Sequence, residues 1–198
     1  MEVTRHSHAA RHRYEVAGWG VGELLVRDGV LVSHALPSRR RRPSAGGQPA
    51  RSRSAGPPNG GASTPEITLP EDPSKDCDGF VPDLCRRFAA HLGGERVDYD
   101  DVPVDHTGLS SFHRGLLEAA RTVGWGEVVT YGGLAALAGR PRAARAAGSF
   151  CAANRLSLVV PCHRIVAAGR GEPFELGPYG SSGARLKRRL LALEGTLL

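Results

Sequence analysis

The chain has 198 residues, enough for one sizeable core or two small ones, with 40% hydrophobic and 23% charged residues and a formal net charge of +6. It holds no run of eighteen apolar residues, and the N-terminus, with His6, His8 and His12 among arginines, lacks the apolar segment of a secretory signal. A membrane span and a secretory leader are therefore not expected, and a soluble cytoplasmic protein is.

Four cysteines, Cys77, Cys85, Cys151 and Cys162, form no CxxC pair and no zinc-type spacing with histidine, so neither a disulfide framework nor a structural metal is predicted. Charge is unevenly spread. Residues 37–65 carry six arginines and no acid, residues 107–198 twelve basic against five acidic residues, and the remainder eight basic against fifteen acidic. The basic C-terminal half suits a polyanionic partner, the bland alternative being an arginine-rich surface of a protein from a biased genome.

In chain order, residues 1–13 read as a disordered tail whose histidines suit solvent better than a metal. Residues 14–35 alternate apolar runs with Gly18, Gly20, Gly22 and the Asp28-Gly29 turn pair, which predicts three short antiparallel strands, the last two a hairpin. Residues 37–65 turn to Arg, Ser, Gly and Pro with little to bury, and read as a disordered insert within an N-terminal α/β domain of residues 14–106. Phe80, Leu84, Phe88 and Leu92 recur at helical spacing, and Gly93-Gly94 supplies the stop. Val97, ahead of an acidic run, is expected to form the last strand of this unit, with the boundary at Pro103–Gly108.

The second unit, residues 107–198, opens on Ser110 as a cap, with Phe112, Leu116, Ala119, Ala120 and Val123 facing inward. A short extended piece, Glu127–Tyr131, feeds a helix at Gly133–Ala138; Gly139-Arg140 breaks it and Pro141 is expected to open the next, through Ala147. Two short helices across a tight turn make a helix-turn-helix pattern. Arg142 and Arg145 then share one face, and Ala143, Ala144, Ala146 and Ala147 leave the backbone open, either to approach DNA closely or to pack tightly in a core. A last helix, Ala184–Leu193, is expected to bury Leu186, Leu190 and Leu193 and to leave Arg185, Lys187, Arg188 and Arg189 solvated, with Glu194 at its end.

The chemistry concentrates at Pro161-Cys162-His163-Arg164. A cysteine attacks as thiolate, which at neutral pH requires a base or a positive environment, and here His163 and Arg164 are sequence neighbours. Glu194 is placed to orient the imidazole if the last helix folds back. By itself a Cys-His pair is also what a buried structural cysteine shows.

Its surroundings are far more specific. The runs Gly126–Tyr131, Leu134–Gly139 and Ala143–Ala146, then Asn154, Pro161–Arg164 and Leu191–Gly195, occur in one order and together resemble the O6-alkylguanine-DNA alkyltransferases, the methylated-DNA-protein-cysteine methyltransferases. The match covers residues 107–198; Gly18-Trp19-Gly20 and Asp28–Val32 resemble the family's smaller domain more loosely. The resemblance implies an α/β fold: a small N-terminal α/β domain with an antiparallel sheet, and a mainly helical C-terminal domain with a winged-helix-like helix-turn-helix.

It also implies roles. Arg145 would enter the base stack as the damaged nucleotide rotates out, with Arg142, Ala143, Ala144 and Ala146 against the DNA, since the O6 group is out of a thiolate's reach inside a duplex. Tyr131 would aid rotation and donate to the purine, Cys162 would take the alkyl group, His163 would accept the thiol proton through a water, and Glu194 would hold the imidazole. Asn154 corresponds to the hinge asparagine, and Ile165, Tyr179, Gly180 and Cys151 to the substrate pocket. The implied partner is double-stranded DNA with alkylated bases, met by a monomer with no cofactor, no metal and no membrane; each molecule reacts once.

Two departures stand out. Arg155 and Ser157 replace prolines usual after the asparagine, and Ile165–Gly183 is longer than usual, with Arg170–Glu175 inserted. The rival readings are a noncatalytic alkylated-DNA binder on the same scaffold and a thiol hydrolase with turnover.

Overall fold

The computed structural model describes residues 9–38, 67–68, 79–169, 174–177, 179 and 183–196. Strands β1 (Ala9–Val16), β2 (Gly20–Arg27) and β3 (Val30–Ser38) form an antiparallel meander, and β4 (Ile67–Thr68) adds to β1, giving the order β3-β2-β1-β4. The three expected strands are there, and the turn between β2 and β3 has both Asp28 (φ 51°) and Gly29 (φ 75°) in the left-handed region, as a tight two-residue hairpin demands. The expected tail overlaps β1. In Ala9–Arg13 the side chains already alternate: His12 is buried with Tyr14 and Val16, while Arg11 and Arg13 pair with Glu23 on the outer face. Period-two alternation there was hidden by the density of charge. Of the predicted insert, Pro37 and Ser38 complete β3, and residues 39–66 lie outside the described residues.

Helix α1 (Phe80–Leu92) packs across this sheet through Val81, Leu84, Cys85, Phe88 and Leu92. Phe88 centres an aromatic stack, 3.8 Å and nearly parallel to the His34 ring and within 6 Å of Tyr14 and Tyr99. Val97 is not in a strand. The pairing falls instead at Val104, which bridges Leu31 through Leu31 N–H to Pro103 O and Asp105 N–H to Leu31 O. Glycines and acids around Val97 offer no alternating buried face, whereas Val102 and Val104 do.

Helix α2 (Ser111–Arg121) starts where expected, Ser110 Oγ accepting from His113 N–H at 3.2 Å. Strand β5 (Val129–Thr130) runs parallel to β6 (Ile165–Ala168), and β7 (Phe174–Glu175) pairs antiparallel to β6. Helix α3 (Tyr131–Leu137) is capped by Thr130, whose hydroxyl accepts from Gly133 N–H. Helix α4 covers Ala144–Ala153, so Pro141 and Arg142 lie in the preceding turn and Ala143 is its cap. Arg142 and Arg145 thus do not share a helical face. A 3-10 turn, Cys162–Arg164, precedes β6, and α5 covers Gly183–Leu193. Among the described residues no helix is long and apolar enough to cross a membrane.

Buried side chains on both sides of Pro103–Gly108 join in one cluster. The free edge of β3 makes the join: beyond its bridge to Val104, His34 N–H donates to Arg155 O at 2.7 Å. Tyr14 hydroxyl donates to His34 Nε2 (2.6 Å), and His34 Nδ1 donates to Ser157 O (2.7 Å), which ties the sheet to the loop leading into Cys162. Phe88→Ala, which empties the middle of this cluster, is expected to lower stability by about 4 kcal/mol in urea denaturation.

Candidate active site

Asn154 ends α4 and closes the following loop on itself, Nδ2 donating to Val160 O (3.0 Å) and Oδ1 accepting from Leu156 N–H (2.9 Å). Within that loop buried Leu158 adopts φ 68°, a left-handed conformation unfavourable for a branched side chain and held here by the surrounding bonds. With Arg155 and Ser157 where prolines were expected, stiffness comes from Asn154 and from the pairing with β3. The loop delivers Cys162 as the first residue of a 3-10 turn, 2% exposed.

The Cys162 thiol meets the Cys151 side chain. That hydrogen bond, and then burial, push the thiol well above its ordinary range, while Lys187 and Asn154 pull the other way. The resting group is a thiol.

Behind it His163 is fully buried, with Nε2 2.8 Å from Glu194 Oε1. Burial lowers the imidazole to about 4, so it is neutral, and the carboxylate fixes its tautomer: Nε2 carries the hydrogen, and Nδ1, without a partner among the described residues, keeps its lone pair. Glu194 receives more. Arg164 donates Nε to Oε2 and Nη2 to Oε1, both at 2.9 Å, and Nη1 to Val123 O at 2.7 Å. Gly126 N–H approaches Oε2 at 3.4 Å; a Cβ on Gly126 would stand 3.1 Å from the Glu194 carbonyl, and φ there is 77°. Burial alone would raise the Glu194 carboxyl, but the hydrogen bonds from His163 and Arg164, with the close approach of His91, hold it far below the usual carboxylate range.

Two members of this site escaped the sequence reading. His91, on the buried face of α1, lies 3.2 Å from Glu194 Oε1 through Nε2, at an angle outside that of a full hydrogen bond. Lys187, expected in solvent, is fully buried; its ammonium donates to Ile165 O and lies 5.6 Å from the centre of the Tyr131 ring. The reason is geometric. The inward face of α5 runs Lys187, Leu190, Leu191 and on to Glu194, so once Glu194 points inward Lys187 must follow at helical spacing, leaving Leu186 and Leu193 at the margin. Burial lowers the Lys187 ammonium to about 8, against the opposing influence of Cys151 and Cys162.

Tyr131, half-buried at the start of α3, has its hydroxyl pushed up to about 12 by burial and then by the two neighbouring thiols. Gly177 sits against that hydroxyl, where a Cβ would come within 3.2 Å. The Tyr179 ring stands edge-on to His163, and with Cys151, Asn154 and Ser157 it lines a cavity of about 480 Å³ walled on its other side by β3. Ile165 is buried beside Lys187; Gly180 lies outside the described residues. Cys162, His163, Glu194, Tyr131, Cys151, Tyr179 and Asn154 therefore converge. Arg145 is exposed in the first turn of α4 and Arg142 in the turn before it, apart from this cluster; Ala144 and Ala146 are half-buried and Ala147 is in the core.

His91, His163 and Glu194 bring ligand-type atoms within 4.8 Å of one another. The set does not fit a cation, because the Arg164 guanidinium already occupies both carboxylate oxygens and would repel a second positive charge.

A buried thiol backed by a neutral imidazole and a carboxylate defines a site for cysteine chemistry. Residues 111–196 match the family model for the 6-O-methylguanine DNA methyltransferase DNA-binding domain. The chain is 38% identical over 128 residues to a methylated-DNA–protein-cysteine methyltransferase of Metallosphaera sedula (65% of this chain, 76% of that one). It is 39% identical over 134 residues to one of Methanopyrus kandleri (67% and 95%). The crystal structure of Mycobacterium tuberculosis OGT in complex with DNA superposes with a TM-score of 0.59 at 27% identity, covering 92% of each chain. The chain belongs to the methylated-DNA–protein-cysteine methyltransferase family, enzymes of DNA repair.

Glu194→Gln leaves Arg164 buried without its counter-charge and is expected to cost about 3 kcal/mol at pH 7. Because the folded carboxyl titrates below its unfolded range near ~4.3, the wild-type advantage is complete above that range and drains away as pH falls through the folded value. Urea denaturation of both proteins from pH 7 downward should show the gap narrowing below about pH 4.

Proposed function

We propose that this chain repairs DNA by moving the alkyl group of an O6-alkylguanine, or of O4-alkylthymine, onto Cys162, once per molecule and irreversibly. The observation that carries this reading is the Cys162–His163–Glu194 series, with the imidazole neutral, correctly oriented and closed off from solvent. His163 Nδ1 takes the thiol proton through a water. The sulfur attacks the alkyl carbon, the carbon–O6 bond breaks, and its electron pair leaves on the base. The Tyr131 hydroxyl supplies a proton or a hydrogen bond to that leaving base, and the proton from the thiol restores the balance. The product is a thioether with no group nearby able to hydrolyse it, hence one turnover.

A thiol only 2% exposed cannot reach into a stacked duplex, so the nucleotide must come to it. In this reading α3 and α4 act as a helix-turn-helix in the minor groove, with the β6–β7 ribbon as its wing. Arg145 takes the place of the departing base, while Arg142 and the small residues Ala143, Ala144 and Ala146 lie against the backbone. Cys151, Ile165, Tyr179 and Gly180 surround the flipped base, and Asn154 braces the segment between helix and thiol. The protein acts as a monomer in the cytoplasm, on double-stranded DNA.

Incubation with duplex DNA containing O6-methylguanine should raise the intact mass by one methyl group, at one equivalent, on Cys162 and not in Cys162→Ala. Lesion binding with no mass change would instead mark a noncatalytic binder, and continuing product release a hydrolase. Arg145→Ala should keep alkyl transfer from free O6-benzylguanine yet slow duplex repair by about tenfold or more, the weight of one lost stacking contact. Equal losses on both substrates would remove Arg145 from the flipping step.

A further inference from the structure

The reactive site has a member contributed from outside the DNA-binding part of the chain. Family matching covers residues 111–196, whereas His91 belongs to α1, which packs on the N-terminal sheet. Its imidazole is completely buried, and Nε2 lies 3.2 Å from the same Glu194 oxygen that takes His163 Nε2 at 2.8 Å and Arg164 Nη2 at 2.9 Å. Its ring is fixed by Trp125 edge-on at 4.8 Å, by Tyr99 at 5.8 Å and by His163 at 6.0 Å. A structural histidine with no further duty would have its polar atoms satisfied, yet among the described residues neither nitrogen of His91 has a partner for a full hydrogen bond.

We propose that His91 is a positioning residue for alkyl transfer: it shares Glu194 Oε1 with His163 and so sets how strongly Glu194 grips the imidazole that serves Cys162. This rests on the reading of Cys162, His163 and Glu194 given above. An ionised carboxylate only accepts, so Nε2 of His91 must carry its hydrogen, and both imidazoles compete for one oxygen. With His91 in place the negative charge on Oε1 is divided three ways, and His163 remains a modest base, neutral until the thiol proton arrives. Without it Oε1 is left to His163 and Arg164, the imidazolium becomes easier to form, and Glu194 loses one of the contacts that hold its plane.

The groups around His91 are few. Glu194 faces it from the end of α5, His163 and Arg164 from the 3-10 turn, Tyr99 from the loop after α1, and His34 of β3 lies beyond Phe88. Burial lowers His91, the nearby Arg164 adds to this, and Glu194 opposes both; the residue is a neutral donor at physiological pH.

The test is the pH dependence of methyl transfer from O6-methylguanine duplex in wild type, His91→Leu and His91→Gln, read as the rate of mass gain on Cys162. His91→Leu should slow transfer by about tenfold on the acid side of the profile, where a His163 gripped more strongly by Glu194 is already protonated, and so move the acid limb to higher pH. His91→Gln, which keeps an N–H donor, should restore most of the rate and return the limb toward its wild-type position. Duplex affinity should be the same in all three. Identical profiles in wild type and His91→Leu would overturn the proposal, as would equal shifts in the Leu and Gln variants. Should His91→Leu not fold, the 15N titration of His163 in wild type and in His91→Phe, which keeps a ring but has no donor, gives the same answer: the proposal requires a higher midpoint in His91→Phe, and identical titrations would refute it. A wild type that gains no methyl group defeats the function reading itself, a result separate from any of these.

Discussion

The carboxylate of Glu194 is the point on which the site depends. It is a buried anion at the end of α5, and burying it alone would cost several kcal/mol. Five donors converge on it: two from Arg164, one each from His163 and His91, and the Gly126 amide. These come from α1, the turn after α2 and the 3-10 turn, so one desolvated charge at the end of α5 draws three other stretches of chain to it. Arg164 supplies the compensating charge. That leaves His163 free to stay neutral, because it is not needed as the counter-ion. With the carboxylate already balanced by Arg164, burial can hold His163 neutral beside it.

The remaining architecture places this assembly against the thiol. The loop between α4 and Cys162 is tied twice, by the Asn154 side chain from within and by the β3 edge from outside. The second tie explains how the loop does without prolines after Asn154: pairing of His34 with Arg155 and the hydrogen bond to Ser157 O do the stiffening that a fixed proline φ would otherwise do. The N-terminal sheet is in this sense part of the reactive site, through β3 on one side and His91 of α1 on the other.

Much of this was legible in the sequence, for identifiable reasons. Strongly periodic segments read correctly: the Phe80–Leu92 helix, the Ser110 cap and the Asp28-Gly29 hairpin are local decisions. The Cys162–His163–Glu194 series was legible because its members lie in compact motifs. What failed were placements that depend on partners distant in sequence. Arg11 and Arg13 look like a solvated tail until Glu23 stands opposite them, Val97 looks like a strand until Val104 finds Leu31, and Pro141 looks like a helix start although α4 begins three residues on. Lys187 and His91 were missed because composition counts a lysine as surface and a helical histidine as incidental. Both follow once Glu194 is known to point inward, since each lies on the buried face of its own helix.

Lys187 also bears on how a thiol so thoroughly masked can react. The Cys151 contact and burial keep Cys162 protonated, and a protonated thiol is far less open to small electrophiles than a standing thiolate would be. Yet attack requires the thiolate. The resting structure holds two opposing influences near the sulfur: neutral His163, able to accept its proton, and the Lys187 ammonium, pinned to Ile165 O and facing the Tyr131 ring. A fixed buried cation stabilises negative charge that develops near it, as on the sulfur when its proton leaves. The site thus need not store a reactive anion: the Cys151 contact and burial hold the thiol protonated, and the Lys187 charge favours the anion once the proton leaves.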